Sequence, residues 1–214
     1  MLEEIVPLEP VHFFAFQLDC LYAKSGKLEK GHFLPDLSSF HGGSPFARTA
    51  LGWHEKGIHA QVEVEGVFDQ PVYPKFAEGD SVELFFDTRD VKTTGFTTRF
   101  CHHFFFLPDA VQTNGGEDIH AREISRFRTE GVHPLCEASL LEVASIKERK
   151  KRVLKIFIPS ECLHGYDPQQ FDRLGFSYLI NRVNGSKQHF SASGADFSIE
   201  SQPSLWASLK LVKH

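Results

Sequence analysis

The stretch Gly79-Asp80-Ser81-Val82-Glu83-Leu84-Phe85-Phe86-Asp87 decides the fold. Val82, Leu84 and Phe86 alternate with Ser81, Glu83, Phe85 and Asp87, the period-two pattern of a strand with two different faces. Upstream, Ile58-His59-Ala60-Gln61-Val62-Glu63-Val64-Glu65 alternates in the same way and carries Gln61, Glu63 and Glu65 on its wet face. Downstream, Phe100-Cys101-His102-His103-Phe104-Phe105-Phe106-Leu107 is nearly continuous apolar sequence, read as a central strand buried on both faces and ended by Pro108.

The pattern continues outward in both directions. Phe13 to Leu18 reads as a strand, and residues 24 to 45, with Gly26, Gly31, Pro35, Gly42, Gly43 and Pro45, read as a long irregular excursion. Residues 109 to 134 are polar, with a turn signal at Asn114-Gly115-Gly116. Ala138 to Ile146 and Arg152 to Ile158 form a hairpin with a charged tip at 147 to 151, and Pro159 to Leu163 makes one short helical turn. Gly175 to Asn181, Gln188 to Ser191 and Leu205 to Val212 supply the last strands. Helical periodicity is absent. The expected fold is therefore all-β, a two-sheet antiparallel β-sandwich of jelly-roll type with long irregular loops and little helix. No repeat or linker divides the chain, so residues 1 to 214 are read as a single domain.

Composition narrows the function. The 21 Phe against 2 Trp and 1 Met fill a core with aromatic rings. A net charge of -5 and a pI near 6.2 give no attraction for nucleic acid or an anionic membrane. The N-terminal residues lack a basic and apolar leader and no stretch is long enough to span a bilayer, so a cytoplasmic protein is expected. Cys20, Cys101, Cys136 and Cys162 are scattered with no metal-like spacing, which predicts four free thiols. Catalytic signatures are missing too: there is no nucleophile elbow, P-loop, dinucleotide fingerprint or His-Glu-x-x-His. Glu83 and Asp87 stand about 13 Å apart along one strand at about 3.3 Å per residue. The carboxyl pair of a retaining glycosidase is about 5 to 5.5 Å apart. The chain is read as not an enzyme.

The Asp80-Ser81-Val82-Glu83 strand, together with the strand from Trp53 to Val64, Arg99, Leu154 to Pro159, Gly175 to Asn181 and Pro203-Ser204-Leu205-Trp206, resembles the family-nine carbohydrate-binding modules and the wider group of DOMON-like sandwiches. The likeness covers about residues 46 to 212. The combination with Asp87 to Asp90 and Phe100 to Phe104 also resembles uncharacterised bacterial proteins of this group. In the sugar-binding modules a Glu, an Arg and an Asn hydrogen-bond sugar hydroxyls, and the matching residues here are Glu83, Arg99 and Asn181. Carboxylate, guanidinium and carboxamide groups suit that task because each offers paired donors or acceptors. The modules also clamp the sugar between two Trp rings. The first of those positions is Ala77 here, with Phe76 beside it, and the second falls in Lys187-Gln188-His189.

The resemblance thus implies a non-catalytic module for a carbohydrate or similar polar small molecule, with Glu83, Arg99, Asn181, Phe76 and His103 as ligand-binding residues. The alternative is a structural or protein-interaction domain in which Glu83 and Arg99 form an internal ion pair and residues 24 to 45 or 109 to 134 meet a protein partner. A third reading is a metal-dependent enzyme built on His103. No resident cofactor is expected. Haem is disfavoured because DOMON relatives that hold it use a Met, and Met1 stands alone. Calcium is the ion the resemblance implies, with Asp87, Asp90 and Asp109 as candidate oxygen donors but no EF-hand spacing. His102 and His103 point to opposite faces of their strand, so they cannot hold one metal together, and each is read as a satisfied core histidine.

Overall fold

A computed structural model of the protein describes residues 16–37, 44–93, 95–124, 130–191 and 198–213. Its strands are β1 (Gln17–Tyr22), β2 (Ala47–His54), β3 (Gly57–Glu65), β4 (Ser81–Asp87), β5 (Cys101–Gln112), β6 (Asp118–Glu123), β7 (Glu142–Lys147), β8 (Lys151–Pro159), β9 (Arg173–Asn181), β10 (Lys187–His189) and β11 (Ala207–Val212). The helical elements among the described residues are short 3-10 turns. No helix there is long and apolar enough to cross a membrane.

The strands hydrogen-bond in the order β6-β5-β4-β9-β11-β1-β2-β3-β8-β7, with β10 added to β9. This corrects the expectation of two separate jelly-roll sheets: the ladder is one continuous sheet curled round its core. The joint is β1, which pairs parallel with both β11 and β2. A parallel partner far away in sequence leaves no hairpin signal, so the joint was invisible in the pattern. At the other side, Arg152 of β8 donates to the carbonyl of Pro108 in β5 at 2.6 Å and also meets Asp109, drawing the two ends of the sheet together.

The pleat sorts side chains as the alternation predicts. Val82, Leu84 and Phe86 of β4 face inward with Phe104, Phe106, Phe176, Tyr178 and Ile180, and meet Ile58, Ala60, Val62, Leu154, Ile156 and Ile158 from the opposite side of the core. Each fully buried Phe contributes roughly 1.5 to 3 kcal/mol from apolar area. Two expectations about β5 and its successor change. Pro108 does not end β5, because the register slips between Phe106 and Val111 and the irregularity accommodates a residue without an N–H. Within residues 109 to 134, read as polar with a turn and given no strand, Asp118–Glu123 forms β6, paired to β5. The expected strand from Phe13 begins at Gln17 among the described residues, Phe13 itself lying outside them.

The outer face of β4 is covered as well. Phe85 and Cys101 pack with Ile199 and Trp206, which arrive on the segment before β11. Phe105, Leu107 and Ile119 pack with Tyr73 and Phe76 from the segment before β4. All seven residues of β4 are buried in consequence. The polar groups on its outer side must therefore find partners within the protein or in a ligand.

Candidate functional site

Each residue of the Asp-Ser-Val-Glu strand has a distinct task. Asp80 is a staple: one carboxylate oxygen accepts the amides of Asp69 and Gln70 at 2.9 and 3.0 Å, and the other accepts the Val183 amide at 2.9 Å. It fixes the chain entering β4 against the turn after β9. Ser81 donates to the carbonyl of Phe76 at 2.8 Å, which ties the 3-10 turn Phe76–Glu78 to the strand. Val82 enters the core. Glu83 opens the polar cluster.

That cluster is assembled by sheet register. Glu83 sits opposite Phe105 of β5 and Leu179 of β9, while Ser81 sits opposite Asn181. His103, two residues before Phe105, shares the outer side. The Glu83 carboxylate lies 2.6 Å from His103 Nε2 through one oxygen and accepts the Asn181 side-chain amide at 2.7 Å through the other. The same Asn181 amide donates to Ser81 Oγ at 3.1 Å. Asn181 Oδ1 is buried and has no hydrogen-bond partner among the described residues. The aromatic surround is Phe76, whose ring lies parallel to Phe105 at 4.5 Å and edge-on to His103 at 6.4 Å, and Phe85, 4.4 Å from the His103 ring. Glu83 and His103 keep 5% and 10% of their side-chain surface exposed, so the cluster sits just under the surface.

The structure thus brings Glu83, Asn181, His103 and Phe76 together and leaves Arg99 apart. Arg99 lies in the turn before β5, about 15 to 20 Å along the sheet from Glu83 at about 3.3 Å per residue. Its guanidinium is exposed and stands 5.0 Å over the Phe100 ring. The β5 side chain that stands beside Glu83 is His103. Ser81 and Phe105 complete the cluster and were not among the expected site residues, although strand parity puts Ser81 on the Glu83 side and Phe105 on the His103 side. Trp206 reaches this same outer face, 5.8 Å from Phe85, but it is buried, with its indole N–H donating to Ile199.

A second polar cluster lies on the inner side of β5. His102 Nδ1 is 2.6 Å from Glu123 Oε1 of β6, and His133 Nε2 is 2.8 Å from the same oxygen. Glu123 Oε2 accepts the Cys136 amide at 2.7 Å. Burial pushes the Glu123 carboxyl up, but the hydrogen bonds from His102, His133 and the Cys136 amide outweigh it and hold the pKa at about 2. Glu123 beside it raises His133 above the ordinary histidine value, whereas burial and then the nearby His133, His102 and arginines lower His164. Sequence offered no signal for this group. His102 is far along the chain from Glu123 and His133, and those two partners lie in the polar stretch 109 to 134, to which no strand was given.

Cysteine usage also departs from expectation. Cys136 and Cys162 are joined in a disulfide, with Cα atoms 4.7 Å apart, while Cys20 and Cys101 are free and buried. The scattered positions hid the pairing because the two halves come from different connections, before β7 and after β8. The three candidate calcium donors all have protein partners. Asp87 spends its oxygens on the amides of Arg89 and Val91, Asp90 is held by Ser208 and Lys92, and Asp109 is paired with Arg152.

With the geometry in place, the chain can be compared with known proteins. No family model matches it, and neither does any curated protein. Among solved structures, a family-nine carbohydrate-binding module from Caldicellulosiruptor kristjanssonii in complex with cellotriose superposes with a TM-score of 0.57 at 11% identity, over 92% of this chain and 94% of that one. The same module with glucose gives 0.55 at 11% identity, over 92% and 96%. A protein from Bacteroides uniformis gives 0.55 at 9% identity, over 92% and 98%. The chain has the family-nine fold. At such low identity this family-nine likeness concerns the path of the backbone and carries no side chain with it.

Proposed function

We propose that this chain is a non-catalytic module that binds a carbohydrate, or a similarly hydroxyl-rich small molecule, on the outer face of β4, β5 and β9. The observation that carries the reading is Asn181 Oδ1, a buried acceptor left without a partner beside Glu83 and His103. An unsatisfied buried acceptor costs about 1 to 3 kcal/mol, and a ligand hydroxyl donating to it would recover that cost. Phe76 is the aromatic wall. It sits half-buried on a 3-10 turn that buries none of its own residues, and its ring offers an apolar face next to Ala77, the position at which the family pattern has tryptophan. Support for a binding role over catalysis comes from Glu83 and Asp87: both carboxylates are engaged, one with His103 and Asn181 and the other with turn amides, so neither is poised as half of a glycosidase pair. The disulfide fits an oxidising compartment better than the cytoplasm.

The neighbours in complex with cellotriose and glucose make those sugars the first to try, alongside a glycan array. Calorimetric titration of the full chain should show binding that is lost in Glu83→Gln and Phe76→Ala and kept in Arg99→Ala. No binding to any sugar, or binding that survives both Glu83→Gln and Asn181→Ala, removes the proposal.

A further inference from the structure

The inner cluster has the make-up of a metal centre. We propose that His102, Glu123 and His133 form a binding site for one divalent transition-metal ion, with zinc the ion their chemistry fits best. Their donor atoms lie within 4.8 Å of one another. They come from three different elements, β5, β6 and the segment before β7, so an ion would tie these together. Two imidazole nitrogens and a carboxylate oxygen, with a fourth place for water, match a known zinc donor set and fall outside the all-oxygen preference of calcium and magnesium.

The supporting atoms point the same way. Metal-bound histidines nearly always donate their other ring N–H to a carbonyl or carboxylate, and bound carboxylates have their second oxygen held. Here His102 Nε2 lies 3.4 Å from the carbonyl of His164, leaving Nδ1 as the inward donor. The Arg99 backbone hydrogen-bonds the His133 ring, whose Nε2 faces inward. The Cys136 amide occupies Glu123 Oε2, leaving Oε1 inward. The Cys136–Cys162 disulfide anchors both the segment bearing His133 and the turn that leads to His164. Every candidate ligand therefore has its outer atom fixed by main chain, and the three inner atoms converge.

An entering ion replaces protons shared between Glu123 and the two imidazoles. Tetrahedral donors about 2.0 to 2.2 Å from zinc stand roughly 3.3 to 3.5 Å apart. His102 and His133 must therefore withdraw from Glu123 by about 0.5 to 0.9 Å from their present 2.6 and 2.8 Å. His133 is the more exposed of the three, 9% against 0% and 1% for the side chains of His102 and Glu123, and marks the entry side.

The test is zinc titration of the full chain, stripped of metal and of any affinity tag because the chain has 12 histidines of its own. The expected result is one equivalent of tight zinc with a rise in melting temperature. Binding should weaken more than about 100-fold in His133→Ala and Glu123→Gln, since even the loss of an outer-shell partner costs about 10- to 100-fold. Circular dichroism checks that both variants fold. X-ray absorption on the zinc-loaded wild type reads the ligands directly and does not depend on any variant, and it should show two imidazoles with shells at about 2.0 to 2.1 Å. Zinc bound equally by wild type and His133→Ala, no stoichiometric zinc at all, or an absorption spectrum without histidine scattering would each overturn the proposal.

Discussion

His102 and His103 are neighbours in sequence, lie on opposite sides of β5, and each stands 2.6 Å from a buried glutamate. The resemblance ends there. On the outer side, Glu83 and His103 are joined by Asn181 and Ser81, the aromatic wall is half-exposed, and one buried acceptor is left over. On the inner side, Glu123 is shared by two histidines and a main-chain amide, and the outer atom of every side chain is held by backbone. The contrast teaches that a His–Glu pair has no fixed meaning. A spare acceptor beside an aromatic wall suits a ligand rich in hydroxyls. Three converging donors with fixed backs suit a cation.

Substitutions should separate the two sides, and the largest effect belongs to the inner one. Glu123→Ala in metal-free protein strands two histidines and an amide, and urea denaturation should register a loss of about 3 to 5 kcal/mol. Removing the disulfide with Cys136→Ser and Cys162→Ser should cost about 2 to 4 kcal/mol in the same measurement. Because the bridge lies on the inner side, that double variant should keep any carbohydrate binding. Glu83→Ala breaks hydrogen bonds from His103 and Asn181 and should cost about 1.5 to 3 kcal/mol, less than Glu123→Ala because fewer partners are stranded. If Glu83→Ala proves the more damaging, the two glutamates have been assigned the wrong weights. Arg99→Ala should shift stability by less than about 0.5 kcal/mol and leave carbohydrate affinity unchanged, since its guanidinium is exposed and remote from Glu83.

Much of this arrangement was readable in advance wherever a local period expressed it. Strand parity placed His103 on one side of its strand and His102 with Phe104 on the other, and the register of β4 and β5 brings the His103 side to Glu83. Asn181 was found by resemblance, and it meets Glu83 because β9 lies beside β4. Arg99 matched the pattern by position but sits in the turn preceding β5, where sheet register no longer controls direction. The features missed were those made by distant chain segments. The parallel pairing of β1, the Cys136–Cys162 bridge and the meeting of His102 with Glu123 and His133 depend on how the sheet curls, and nothing local marks them. Pro108 misled for the opposite reason, a strong local signal overridden by an irregularity in the ladder.

The most direct test of the outer-face claim is mapping of backbone amide NMR shifts during titration with a carbohydrate that binds the full chain. Binding at this face should give saturable shifts concentrated at Ser81 to Phe85, His103 to Phe105, Leu179 to Asn181 and the Phe76 turn, with Arg99 and Glu123 silent. Shifts centred on Arg99, or on the opposite side of the sheet around His59 and Phe157, would contradict it.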